Sequence, residues 1–204
     1  YMVLVVMAVA GRAAEITVTV KSTKGELVAD AVVSLVPLDG KVPPPSETAD
    51  EIAQQNQEFV PYLTVVQAGA RVVFPNKDTV QHHIYSLSKT KRFEKELYNP
   101  GSAESLVFES SGMVTLGCNI HDWMIAYLVV VPTPYFAKSD EKGVASVTAP
   151  AGRYRLDLWQ PRMNATTSQE VTLTDGTPAT KEFSVNLKAD RRIRRGQPGK
   201  AGGY

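Results

Sequence analysis

Three side chains that bind soft metals fall within seven positions of one another: Cys118, His121 and Met124, in the stretch GCNIHDWM. Two residues separate the cysteine from the histidine, and two more separate the histidine from the methionine. Thiolate, imidazole and thioether together select copper, since two histidines and a cysteine in a trigonal plane with a long axial methionine form an electron-transfer site. Thiolate donation favours Cu(II) and the thioether favours Cu(I), so such a site changes oxidation state with little rearrangement. Cys118 is the only cysteine, so no disulfide within the chain accounts for it. The coincidence of the three offsets is on the order of one in a thousand at ordinary residue usage. Zinc is the rival metal, although structural zinc favours four Cys or His ligands and rarely takes methionine. A packed thiol and methionine beside an exposed histidine is the alternative without metal.

The two remaining histidines, His82 and His83, lie 36 and 35 residues upstream of Cys118 in VQHHIYS. One of them completes the set by tertiary contact. Alternation of side chains along a strand argues against both facing one point.

The elements that must position these residues are strands. Short runs of β-branched and aromatic residues separated by Gly, Pro, Asn and Asp run along the chain, and helical periodicity is nearly absent. EITVTVKS alternates cleanly, AVVSLVPL is a fuller apolar run, and KSTKG between them predicts a hairpin turn. KVPPPSETADEIAQQNQ reads as a polar boundary with at most one short helix near Ala49 to Gln55. From Phe59 to Val131 strand endings recur about every ten residues, the pattern of a Greek-key sandwich or barrel. Cys118 then ends the strand MVTLGC and Met124 begins MIAYLVVV, so a tight loop turns the three donors toward one point. Beyond Pro132 a further set of strands, GVASVTA, YRLDLWQP, SQEVTLT and TKEFSVNL, is too small for a sandwich alone. Adding Glu15 to Leu38 supplies the missing strands. The expectation is a split domain with the middle unit inserted between its second and third strands.

Phe59 to Val131 resembles the cupredoxins. CNIHDWM is similar to the ligand loop of the amicyanins, and VQAGARVVFPNKDTVQHH is similar to the cupredoxin run V-x-x-G, V-x-F, N-x-D with a histidine six positions after the Asn. Counted from Asn76 that histidine is His82, so the resemblance implies His82, Cys118, His121 and Met124 as ligands of one mononuclear type I copper. As a whole the chain resembles the bacterial family labelled methylamine utilization protein, whose first and last parts look like the transthyretin-like, or carboxypeptidase regulatory-like, module. The implied fold is all-β: a cupredoxin Greek-key sandwich inserted in a split transthyretin-like β-sandwich. The expected divisions are 1–13 signal peptide, 14–56 first part plus linker, 57–132 cupredoxin domain, 133–188 second part and 189–204 basic tail. Two positions depart from the pattern. His83 stands where many cupredoxins have an Asn that ties the ligand loops, and Asp122 stands where amicyanin has a proline. His83 either takes over that tie or points outward, while Asp122 either raises the pKa of His121 or caps its loop.

The bulk composition fits this reading. With 43% hydrophobic and 21% charged residues the body is that of a globular protein rather than a disordered or membrane-embedded one. Net charge is +1, but from Lys188 onward it is +5, so the remainder carries −4. The basic residues lack interleaved aromatics, which argues against nucleic acid. MVLVVMAVA followed by GRAA predicts an export signal and a periplasmic location, with no transmembrane segment in the mature chain. Three histidines and one cysteine are too few for a multicopper catalytic centre or a binuclear copper centre, so no enzymatic activity is expected. The expected function is single-electron transfer between redox proteins such as a cytochrome c or a dehydrogenase. A periplasmic copper carrier or sensor is the alternative, and a purely structural sandwich the third reading. Trp123, Ile125, Pro132, Pro134 and Tyr135 are candidates for an apolar docking face around His121, and Trp123 is equally a core indole. Tyr154 and Trp159 are expected in the core of the split domain.

Overall fold

The computed structural model describes residues 13–190. The signal segment and basic tail expected from the sequence fall outside the described residues, apart from Ala13, Ala189 and Asp190. All regular elements are strands: β1 (Ala13–Ser22), β2 (Val32–Pro37), β3 (Asp50–Glu51), β4 (Ala53–Gln55), β5 (Glu58–Val60), β6 (Leu63–Gln67), β7 (Ala70–Pro75), β8 (His82–Ser86), β9 (Phe93–Tyr98), β10 (Ala103–Phe108), β11 (Gly112–Gly117), β12 (Ile125–Val131), β13 (Phe136–Lys138), β14 (Val144–Pro150), β15 (Gly152–Trp159), β16 (Thr167–Leu173) and β17 (Ala179–Val185). The protein is all-β, and no helix among the described residues is long and apolar enough to cross a membrane.

Strands from the two ends of the chain share one core. β1 lies between β14 and β17, and the facing sheet runs β13-β2-β15-β16. In β1 the alternate residues Ala14, Ile16, Val18 and Val20 point inward, while Glu15, Thr17 and Thr19 are at least partly exposed. They meet Val33, Leu35, Leu156 and Leu158 from the other sheet. Full burial of each such side chain contributes about 1.5–3 kcal/mol, so the alternation both selects strand geometry and fixes its register. Gly143 (φ 69°) closes the turn against β1, where a Cβ would stand 2.5 Å from the carbonyl of Val20.

The predicted hairpin between β1 and β2 is corrected. Ser22 does receive the backbone N–H groups of Lys24 and Glu26, and Lys21 bridges to Leu27. The chain then crosses to the opposite sheet, because both strands carry apolar faces that are buried only when the two sheets face each other. The helix considered near Ala49 to Gln55 is also absent. That segment is extended as β3 and β4, with Asp50 and Glu51 paired in parallel to Val72 and Val73 and Ile52 fully buried. Edge pairing to β7 satisfies its backbone, and Ile52 and Gln54 are buried beside it without a helical repeat.

The middle strands form two facing sheets, β10-β7-β3 and β6-β12-β11-β8-β9. Phe74, Phe108 and Val72 from one sheet pack on Ile84, Leu116, Ala126 and Leu128 from the other. Every residue of β6 is buried, without alternation. The cause lies outside the middle core: Leu63 and Val65 turn away from it and join Val129, Val131 and Val32 in a separate cluster. Trp159 packs there, edge-on to Tyr127 at 5.9 Å, and not in the flanking core as expected. Tyr154 is in the flanking core.

Candidate metal centre

Antiparallel pairing of β11 and β12 ends at Gly117 opposite Ile125, so residues 118–124 form the closing loop. The loop begins with Cys118 and ends with Met124, both buried, and His121 is half-buried between them. The backbone N–H of Met124 donates to the carbonyl of His121 at 2.9 Å, which tightens the turn that brings the three residues together. β8 meets the same end of the sheet through Tyr85, which pairs with Gly117. A Cβ at residue 117 would stand 2.8 Å from the Tyr85 ring, so glycine lets that ring lie against the strand beside Cys118.

His82 opens β8, and its side chain is fully buried. Its Nδ1 lies 4.0 Å from Sγ of Cys118, and Nδ1 of His121 lies 3.8 Å from the same sulfur. The three donor atoms are all within 4.8 Å of one another. First-row metal bonds of about 2.3 Å to sulfur and 2.0 Å to nitrogen, opened to a trigonal angle, separate S and N by about 3.7 Å. The donors therefore fit one metal ion of this size. Met124, 2% exposed, belongs to the same core cluster as Cys118, and the four residues form a type I-like ligand set.

The imidazole of His82 is held from behind. Nε2 of His82 is 2.8 Å from Oδ2 of Asp78. The Asp78 carboxylate also accepts the backbone N–H groups of Asn56, at 2.9 Å, and Gln57, at 2.7 Å. Burial alone would raise the pKa of Asp78, but the Gln57, His82 and Asn56 donors outweigh it and hold the carboxyl below its ordinary range. Asn76 sets the loop that carries Asp78: its Oδ1 accepts the N–H of Asp78, and its Nδ2 donates to the carbonyls of Val80 and Tyr98.

A β-bulge between His82 and Ile84 lets two consecutive histidines be buried on different business. Nε2 of His83 lies 2.9 Å from Oε1 of Glu94 and 3.3 Å from Nδ2 of Asn119, the neighbour of Cys118. Its backbone carbonyl accepts Nε2–H of Gln54 at 3.2 Å. His83 is buried and does not point outward, and Oε1 of Glu94, within 2.9 Å of its Nε2, also accepts Nδ2–H of Asn119 at 3.5 Å, which links His83 to the loop of Cys118. Trp123 is half-buried against the core of Cys118 and Met124, donates Nε1–H to the carbonyl of Gln57 at 3.0 Å, and has its ring 5.2 Å from that of His121.

Some expected neighbours of the site are elsewhere. Tyr135 packs against the flanking core, edge-on to Tyr154 at 6.1 Å, because β12 carries the chain away from the ligand loop before residues 132–135. Ile125 is at the loop and partly exposed, at 38%. Asp122 is exposed and lines a cleft of about 510 Å³ with Tyr85, Cys118 and Met124. The carboxylate bonded to a clustered imidazole is Asp78, on His82. Asp78, Gln54, Glu94 and Asn119 were not singled out from the sequence. The spacing of Asp78, four residues before His82, was the available signal.

No family model and no curated protein matches the chain. Among solved structures it is similar to a purple cupredoxin from Nitrosopumilus maritimus, at 23% identity over 40% of this chain and 99% of that one, with a TM-score of 0.37. An oxidised variant of amicyanin is 18% identical over 42% of this chain and 85% of its own, with a TM-score of 0.39. A copper-containing nitrite reductase from Thermus scotoductus is 17% identical over 47% of this chain, which spans 25% of that enzyme, with a TM-score of 0.40. The middle pair of sheets carries Cys118 and His121, two of the three clustered donors, on the loop between its last two strands.

Proposed function

We propose that this protein is an exported type I copper protein that carries single electrons between redox proteins, such as a cytochrome c or a dehydrogenase, in the periplasm. The observation that carries the reading is the buried convergence of His82 Nδ1, Cys118 Sγ and His121 Nδ1 beside Met124. Bound copper would supply a one-electron couple. His82, Cys118, His121 and Met124 would hold the ion. Burial of Cys118 limits water at the thiolate, and the contacts around His82 keep that donor fixed when the charge at the site changes. His121, the half-buried imidazole, is the natural point of exchange with a partner. Residues 14–56 and 133–188 would act as a split sandwich bracing the copper unit at 57–132. All three histidines are occupied by this arrangement, so chemistry on a substrate would belong to a partner.

The test is the visible spectrum after Cu(II) addition, recorded beside Cys118→Ser. An intense thiolate-to-copper band that the variant lacks, with reversible reduction, is the expected result. A colourless protein that binds Cu(I) and hands it to another protein would replace electron transfer by the carrier reading. Absence of copper binding would overturn both.

A further inference from the structure

The two imidazoles of the centre are joined by a second route that avoids the metal position. Oδ2 of Asp78 meets Nε2 of His82 and also the N–H of Gln57, while Oδ1 meets the N–H of Asn56. Asn56 and Gln57 form the turn between β4 and β5, and both have left-handed backbones (φ 55° and 57°) without being glycine. That conformation is uncommon for residues with a side chain, and the Asp78 carboxylate receives both of the N–H groups that the turn presents. The carbonyl of Gln57 then accepts Nε1–H of Trp123, whose ring lies against His121. The contacts run from His82 through Asp78, Gln57 and Trp123 to His121.

We propose that Asp78 is the positioning residue for both imidazoles, setting the tautomer of His82 directly and the placement of His121 through the turn and Trp123. An ionised carboxylate only accepts hydrogen bonds, and a neutral imidazole has one N–H. The proton of His82 therefore sits on Nε2, leaving the lone pair on Nδ1, the atom that faces Sγ of Cys118. His82 is fully buried, so solvent offers no competing partner. Replacing the carboxylate by an amide would leave one oxygen for three N–H donors, and an NH2 group at the Oδ2 position would face both the N–H of Gln57 and Nε2 of His82. Facing Nε2, that group would place the proton on Nδ1, where it blocks coordination. Loss of an outer partner of a metal-bound histidine typically lowers affinity about 10- to 100-fold. The inference rests on the copper reading only for its effect on the metal, since the tautomer exists without the ion.

The experiment is long-range 1H–15N NMR of the histidines in the metal-free full chain, followed by copper titration and potentiometry. Wild type should show His82 protonated at Nε2. Asp78→Asn should move the proton to Nδ1 and weaken Cu(II) binding about 10- to 100-fold. If Cu(I) affinity is unchanged, this corresponds to a rise in potential of about 60–120 mV. Asp78→Glu, which keeps the charge, should retain the Nε2 proton and recover part of the affinity; it also stands in if the amide variant does not fold. Trp123→Phe should disturb the His121 signals and leave the His82 tautomer as it was. A wild-type His82 protonated at Nδ1, or a folded Asp78→Asn protein with wild-type tautomer and affinity, would overturn the proposal. A wild-type Nε2 proton in a protein that binds no copper would overturn the metal reading and leave the role of Asp78 in the tautomer standing.

Discussion

Among the buried polar side chains of the flanking sheets are Ser22, Ser34, Ser139 and Gln160, whereas those of the middle sheets include Gln54, Asn76, His82 and His83. In the flanking region such groups serve nearby backbone. Ser139, for example, accepts the N–H of Ala31 and donates to the carbonyl of Val28, and Gln160 accepts the N–H of Arg162. In the middle region two buried or half-buried imidazoles and a thiol instead face one another, and the outer nitrogen of His82 is held by Asp78, whose carboxylate also receives the turn at Asn56 and Gln57. Both interiors rest on the same apolar burial. The middle one additionally needs its polar groups held in place, so a volume change there reaches the donors, while in the flanking core it costs only packing.

The sharpest way to break this distinction is a matched pair of truncations. Leu156, in the flanking core, and Leu116, one residue from Gly117 in the middle core, are both fully buried. Leu156→Ala and Leu116→Ala are each expected to lose about 2–5 kcal/mol in denaturant unfolding. Copper affinity should fall only in Leu116→Ala, and equal effects on the metal would erase the comparison. Next in size is Ser139→Ala, which strands a buried N–H and a buried carbonyl; about 1–3 kcal/mol should be lost with an unchanged copper spectrum. Gly117→Ala is its counterpart at the site. Forcing the Tyr85 ring aside should cost about 1–3 kcal/mol and shift the thiolate-to-copper band, because that ring lines the cleft beside Cys118.

The smallest expected effect belongs to Tyr98, whose hydroxyl donates to the carbonyl of Phe74 at 3.1 Å. Tyr98→Phe should lose about 0.5–1.5 kcal/mol. Burial first, then the charges of Glu104 and Cys118, hold the phenol proton above its ordinary range. Folded protein thus keeps a proton that the unfolded chain releases near pH 10, so stability present below that pH falls as the pH rises past it. In the phenylalanine variant this alkaline loss should shrink, as read from melting temperatures across the pH series.

Much of the fold was legible wherever burial is one-sided. β1, β14 and β15 alternate in sequence as they do in exposure, and turn residues mark their ends. Partnership was less legible: nothing in EITVTVKS or AVVSLVPL says that the two strands enter opposite sheets. β3, β4 and β5, at two or three residues each, are too short to show any period. Of the site, Cys118, His121 and Met124 declared themselves by spacing, because one loop holds all three. His82 needed a family pattern, since its approach to Cys118 depends on strand order. Asp78 stood in the quoted PNKD, but a carboxylate reaching an imidazole around a loop leaves no periodic trace.

The two-sided burial of β6 has a practical consequence for anyone who would separate the parts of this molecule. Leu63, Val65, Val129 and Val131 face the flanking strands rather than the middle core. A fragment trimmed to the middle strands alone would wear that row, with Tyr62 and Tyr127 beside it, as a bare greasy stripe on its outer wall. Such a fragment is expected to self-associate or precipitate unless the stripe is recoated with polar residues.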